Sequence, residues 1–361
     1  MKRREFLRTI GGAAAAAGIG PAALAGCGPA TRAQQRMNWT WVHGGGGADG
    51  DEWRRRFARV REAGVGGVLV GGGDAELVAG AAHAEGLEFQ RWTWVLNRAG
   101  DEWAKEHHPE WYTVSRNGES SLEHPPYVGY YRWVCPTRPA VREYLRGIVD
   151  EIASDPNVDG VHLDYIRHAD VILPVGLWSK YDLVQDREYP EFDFCYCEVC
   201  RETFKAQSGT DPLELRDPTQ DVAWREFRWD SVTGLVRVLA DAVHARGKRI
   251  TAAVFPTPTL ARRLVRQAWE KWPLDAVFPM LYHEFYNEGI DWIETATAEG
   301  VAALPERVPL YGGLYLPGMS PEELGRAVRA AREGGAAGVS LFEMNGLSDE
   351  HLVQLRDAVW V

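Results

Sequence analysis

Val158-Asp159-Gly160-Val161-His162-Leu163-Asp164-Tyr165-Ile166-Arg167 is the stretch from which this chain can be read. Successive side chains of a β-strand point to opposite faces. Gly160–Asp164 in that conformation sends Val161 and Leu163 one way and His162 and Asp164 the other. Seven further apolar, β-rich runs surround it: Asn38–Val42, Gly67–Val70, Glu88–Leu96, Arg249–Phe255, Ala276–Leu281, Val308–Tyr315 and Gly338–Phe342. The segments between them have helical period. Phe57, Val60 and Arg61 share one helix face, and Trp224, Phe227, Val232, Leu235, Val236, Leu239 and Val243 form an apolar stripe on a long helix. Gly247 is placed to end that helix. Ser320-Pro321-Glu322-Glu323 reads as a capping box with proline at the first helical position. Eight strand-helix alternations predict an α/β fold, a (β/α)₈ barrel over residues 37–361. A doubly wound sheet is the alternative, but it usually has fewer units and a glycine-rich phosphate turn. In the barrel, Val161 and Leu163 face the helices, while His162 and Asp164 face the axis.

Two connections are far longer than a barrel requires. Residues 98–137 follow strand three and residues 165–218 follow strand four, so both are expected on the C-terminal rim, where such barrels carry their sites. The first insert holds Trp103, Trp111, Tyr112, Tyr127, Tyr130, Tyr131 and Trp133, rings able to wall a cleft. Gly44-Gly45-Gly46-Gly47 and Gly71-Gly72-Gly73 follow strands one and two. With no Lys-Ser or Lys-Thr after them, they read as turns rather than phosphate loops.

The full chain of 361 residues has a net charge of −11, which disfavours general nucleic-acid binding. Its 15 Trp, 13 Tyr and 11 Phe supply flat apolar faces of the kind that pack on sugar rings. The N-terminus reads Lys2-Arg3-Arg4-Glu5-Phe6-Leu7-Arg8, followed by a Gly/Ala-rich apolar run too short and too weakly apolar for a membrane span. It resembles a twin-arginine export signal over residues 1–26. Leu24-Ala25-Gly26-Cys27 resembles a lipoprotein cleavage box, with Cys27 the lipidated residue and 27–36 a tether. These features predict an exported chain in the cell envelope, held at a membrane by its lipid only; plain cleavage without lipidation is the alternative.

An inward carboxylate at a strand end is costly unless it is hydrogen-bonded or employed. Asp164 is therefore the first candidate, with Tyr165 and Arg167 near enough in sequence to orient or ionise it. His162, one layer down, reads as a core histidine. Val158–Arg167 resembles the V-D-G-x-H-x-D-Y-x-R segment of the bacterial glycosyl hydrolase-like family ten. Cys135-Pro136, Phe194-Cys195-Tyr196-Cys197, Ala253-Val254-Phe255-Pro256 and Val277-Phe278-Pro279-Met280-Leu281-Tyr282 extend the likeness in order and spacing. The resemblance implies a glycosidase-related barrel and a carbohydrate substrate. A glycosidase needs two carboxyl groups flanking one bond. Asp164 is expected as nucleophile or base, and Glu343 or Glu284 as acid, with Glu343 preferred because it directly follows strand eight. Asn97, Tyr165, Arg167, Tyr282 and His283 are candidates for holding sugar hydroxyls. A non-catalytic carbohydrate-binding lipoprotein on the same barrel is the competing expectation.

Cys195-Tyr196-Cys197-Glu198-Val199-Cys200 puts three thiols in one short loop, a pattern suited to a structural zinc with one more ligand. Cys135 or a histidine such as His168 can supply the fourth, and a disulfide is the competing reading in an oxidising compartment. No cofactor is expected in catalysis.

Overall fold

The computed structural model describes residues 37–358. The expected signal, Cys27 and the tether lie outside the described residues. The order of elements is β1 (Asn38–His43), α1 (Gly50–Glu62), β2 (Val65–Gly71), α2 (Ala75–Ala84), β3 (Glu88–Trp94), α3 (Glu102–His107), α4 (Pro139–Ser154), β4 (Gly160–Asp164), α5 (Glu198–Ser208) and α6 (Val222–Ala245). Then come β5 (Arg249–Val254), α7 (Pro258–Val265), β6 (Ala276–Pro279), α8 (Trp292–Ala303), β7 (Tyr311–Tyr315), α9 (Pro321–Glu333), β8 (Gly338–Phe342) and α10 (Asp349–Asp357).

All strands are parallel, in the order β6-β5-β4-β3-β2-β1-β8-β7. The seam between β6 and β7 is joined by parallel bridges from Val277 to Leu310 and from Met280 to Gly313. There the Val277 N–H donates to Pro309 O at 3.1 Å and the Leu281 N–H to Gly313 O at 2.8 Å. The eight strands thus form the expected (β/α)₈ barrel. The run read as Val308–Tyr315 becomes a regular strand only from Tyr311, after Pro309, which has no N–H to give a ladder.

Alternation sorts the β4 side chains as expected. Val161 and Leu163 join the apolar layer between strands and helices, while Trp39, Trp41, Leu69, Trp92, Phe278 and Tyr311 fill the barrel interior. His162 lies among those interior rings, 5.7 Å from Trp41 and 5.0 Å from Phe278 between centroids, and its Nδ1 is 2.9 Å from Thr251 Oγ1. Burial pushes its imidazole down to about 3, so it is a neutral packing residue at physiological pH. Large interior rings need small neighbours. A Cβ on Gly67 would stand 2.4 Å from the Trp39 ring, and one on Gly71 2.7 Å from the Trp92 ring.

The helices obey their sequence signals. Trp224, Val232, Leu235, Val236, Leu239 and Val243 are buried along α6, and Gly247 takes the left-handed conformation just beyond its end. Ser320 caps α9: its hydroxyl accepts the Glu323 N–H, and the Glu323 carboxylate accepts the Ser320 N–H. Each long insert contributes a helix that the periodicity did not single out, α3 in the first and α5 in the second.

Candidate functional site

Asp164 ends β4 on the axial side, and its carboxylate opens into a cleft of about 340 Å³. The Trp92 indole Nε1–H donates to Oδ2 at 3.0 Å, and the Tyr165 backbone N–H donates to Oδ1 at 2.7 Å. Tyr165 has φ +49°, an uncommon conformation for a residue with a side chain. Burial pushes the Asp164 carboxyl above the ordinary carboxylate range, although these two donors and the Arg167 charge favour the anion.

The cleft walls come from three sources. Barrel strands and the residues just beyond their ends supply Trp41, His43, Trp92, Trp94, Phe255, Tyr282, Tyr315 and Phe342. The second insert supplies Tyr165, Arg167, Asp170, Leu173 and Tyr181. The first insert supplies Tyr130 and Tyr131 alone among its seven rings. The others are committed elsewhere. Trp103 and Trp111 pack on Tyr144 of α4, Tyr127 stacks on Phe192 at 4.3 Å, the Tyr112 hydroxyl donates to Arg98 O, and Trp133 lies against Tyr165. At the rim, Trp94 and Tyr130 stay exposed, with Trp94 against Tyr165 at 4.6 Å. These are tilted, partly exposed rings beside a half-buried carboxyl.

Arg167 does not pair with Asp164. Its guanidinium donates to Asp170 Oδ2 at 2.9 Å and lies 4.9 Å over the Trp133 ring, 5.4 Å over Tyr165 and 5.0 Å over Phe255. Both partners of this ion pair are almost fully buried. Arg167 therefore positions the cleft's rings, and its influence on Asp164 is electrostatic at longer range.

Glu343 directly follows β8. Its Oε2 is 3.1 Å from His43 Nε2, and the His43 ring sits 5.2 Å from the Trp92 ring that holds Asp164. Glu343 thus stands at the edge of the same barrel mouth, beside a residue that lines the cleft. Glu284 and His283 follow Tyr282 in the loop after β6. The chain leaves Tyr282 in a tight 3-10 turn, His283–Tyr286, whose His283 and Glu284 border a small adjoining hollow with Ile290, Pro317, Met319 and Glu323. Tyr282, Phe285 and Tyr315 line both spaces. Asn97 is buried; its Oδ1 accepts the Ala99 N–H at 3.3 Å, and its Nδ2 has no partner among the described residues. A turn-forming asparagine satisfies its own backbone. Trp92, His43 and Asp170 were missed from the sequence. Alternation along β3, with Trp92 inward like Gln90, was the available signal for the first.

Cys135, Cys195, Cys197 and Cys200 are all buried, and their sulfurs lie within 4.8 Å of one another. Cys135 thus joins the C-x-C-x-x-C loop. His168 does not; it is buried near Ser231, with its Nε2 3.4 Å from the hydroxyl.

The eight-stranded parallel barrel is a fold that solved glycoside hydrolase barrels share. The catalytic domain of β-amylase from Paenibacillus polymyxa superposes with a TM-score of 0.60 at 11% identity, over 91% of this chain and 98% of that one. The PgaB (BpsB) glycoside hydrolase domain from Bordetella bronchiseptica gives 0.60 at 14% identity, over 89% and 96%. The cold-adapted β-galactosidase from Rahnella sp. R3 gives 0.57 at 14%, over 86% of this chain and 50% of that one. At these identities the likeness is one of fold. The sequence itself places the chain more closely: it belongs to the Glycosyl hydrolase-like 10 family, whose model matches residues 73–315. No curated protein matches the chain.

Proposed function

We propose that this chain is an exported, lipid-anchored glycoside hydrolase cleaving O-glycosidic bonds of an oligo- or polysaccharide with two carboxyl groups. The observation that carries the reading is the Asp164 carboxyl, held by Trp92 and Tyr165 on the floor of an aromatic cleft and pushed upward by burial. A carboxyl pushed upward holds its proton to higher pH, which suits the role of acid to the leaving oxygen. This exchanges the roles expected from sequence: Asp164 donates, and the second carboxylate acts on the opposite face of the sugar. Glu343 fits that second role better than Glu284, because its neighbour His43 lines the cleft whereas Glu284 lies in another hollow. Trp94 and Tyr130 offer the exposed faces on which sugar rings can stack. The twin-arginine-like segment and Cys27 supply export and the lipid.

One observation favours a non-catalytic carbohydrate-binding protein on the same scaffold: Glu343 borders the cleft without lining it. A screen of oligo- and polysaccharides, read by new reducing ends and by direct binding, separates the two. Cleavage supports the hydrolase. Binding of a glycan that is never cleaved supports the alternative, and neither binding nor cleavage across the panel removes the carbohydrate reading.

A further inference from the structure

We infer that Cys135, Cys195, Cys197 and Cys200 form a closed four-thiolate zinc site that bolts the two long inserts of the barrel together. Zinc–sulfur bonds of about 2.3 Å in a tetrahedron set the sulfurs about 3.8 Å apart. The sulfurs of Cys135 and Cys200 are 3.4 Å apart, those of Cys135 and Cys197 3.7 Å, and all four fall within reach of one ion. Two disulfides would draw the sulfurs into pairs, each bonded at about 2.05 Å and separate from the other. Here Cys135 stands about equally near two partners.

The surroundings are those of thiolate ligands. The backbone N–H groups of Val114 and Cys197 point at Cys195 Sγ at 3.4 and 3.5 Å, and the Thr137 hydroxyl lies 3.3 Å from Cys200 Sγ. Backbone donors such as those of Val114 and Cys197 orient and stabilise sulfur ligands. A zinc ion with four thiolates carries a net charge of −2, and the Arg142 guanidinium is close enough to Cys135 and Cys200 to interact with it. Each thiol releases its proton as its sulfur binds, and no electron is exchanged. Four protein ligands leave no open position, so the ion is structural rather than a bearer of water. Zinc also lies above iron in the divalent affinity order.

The placement gives the site its purpose. Cys135 closes the first insert just before α4, and the other three cysteines lie in the second insert, at the start of α5. Close by, a backbone bridge pairs Ser115 of the first insert with Phe194 of the second, and the Tyr196 N–H donates to Val114 O at 2.8 Å. The metal clamp extends this junction to the end of the first insert. Tyr131, which lines the cleft, lies four residues before Cys135, so the clamp fixes part of the cleft wall.

The test uses the full chain, purified without added reductant in chelator-treated buffer. Elemental analysis should find about one zinc per chain, and thiol titration of the native protein should show Cys135, Cys195, Cys197 and Cys200 protected until a mercurial releases the metal. Cobalt substitution should give the visible ligand-field bands of a tetrahedral thiolate site. His168→Gln should keep its zinc, whereas Cys135→Ser should lose it. Zinc far below one per chain, iron in its place, disulfides among these cysteines, or loss of zinc in His168→Gln would each overturn the inference. The metal content of the unmodified protein decides the matter even if Cys135→Ser fails to fold.

Discussion

Asp164→Asn tests the proposed acid most directly, because it removes the proton and the charge while keeping the shape. The structure sets the cost to folding. The carboxylate accepts two hydrogen bonds, from Trp92 at 3.0 Å and from Tyr165 at 2.7 Å. An asparagine oxygen can serve one donor while its NH₂ group leaves the other without an acceptor, a loss of about 1–3 kcal/mol. Against that, burial penalises the ionised aspartate, and the neutral amide is free of that penalty. A carboxyl whose folded-state pKa is raised contributes stability that is fully present below its unfolded pKa and is lost as pH rises through the folded value. The stability of the wild type relative to Asp164→Asn should therefore decline from acid toward neutral pH, leaving a difference of about 1 kcal/mol or less. Turnover should fall by about 10²–10⁴, the usual contribution of a general acid, or about 3–5 kcal/mol in the barrier. The assay is reducing-end release from the cleaved glycan, with thermal melts across the same pH series. Cleavage within tenfold of the wild type would refute the catalytic assignment. A stability gap that instead widened in favour of the wild type as pH rose would refute the burial argument.

Trp92→Phe removes one of the bonds that favour the Asp164 anion, so the high-pH limb of the activity profile should move to higher pH; an unmoved limb would discard the positioning role. Gly71→Ala should act through the same ring, since its new Cβ would stand 2.7 Å from Trp92. Glu343→Gln should lower turnover about a hundredfold or more, whereas Glu284→Gln, in the adjoining hollow, should change it less than about threefold; the reverse order would transfer the second carboxyl role to Glu284. Asp193→Asn should cost about 3–5 kcal/mol in urea unfolding, because it strands the buried Arg228 guanidinium. Burial alone would raise the Asp193 carboxyl, but Arg228 and Arg266 outweigh it and hold it below the ordinary range. The stability it contributes is present above the unfolded carboxylate pKa and is lost as pH falls through the folded one, so the penalty should shrink in acid. A penalty under about 1 kcal/mol at neutral pH would show that the pair contributes little.

Periodicity is a local property, and the chain displays it openly. Eight apolar runs alternate with helical stripes, so the barrel, the inward turn of Asp164 and the core role of His162 could all be read without coordinates. Capping is equally local, and the Ser320–Glu323 box forms as its four residues dictate. Beyond a strand's last residue, the path of the chain is set by how the loop packs. Tyr282 enters the cleft while the next two residues turn away from it, and Asn97 spends its side chain on its own turn. Of the seven rings in residues 98–137, their sequence could not say that only Tyr130 and Tyr131 reach the site, because the competing partners Tyr144 and Phe192 lie elsewhere in the chain. Likewise the spacing of Cys195, Cys197 and Cys200 was visible at once. The choice of Cys135 over His168 as their companion required the fold, since only tertiary packing brings residues 60 or more positions apart within one ion's reach.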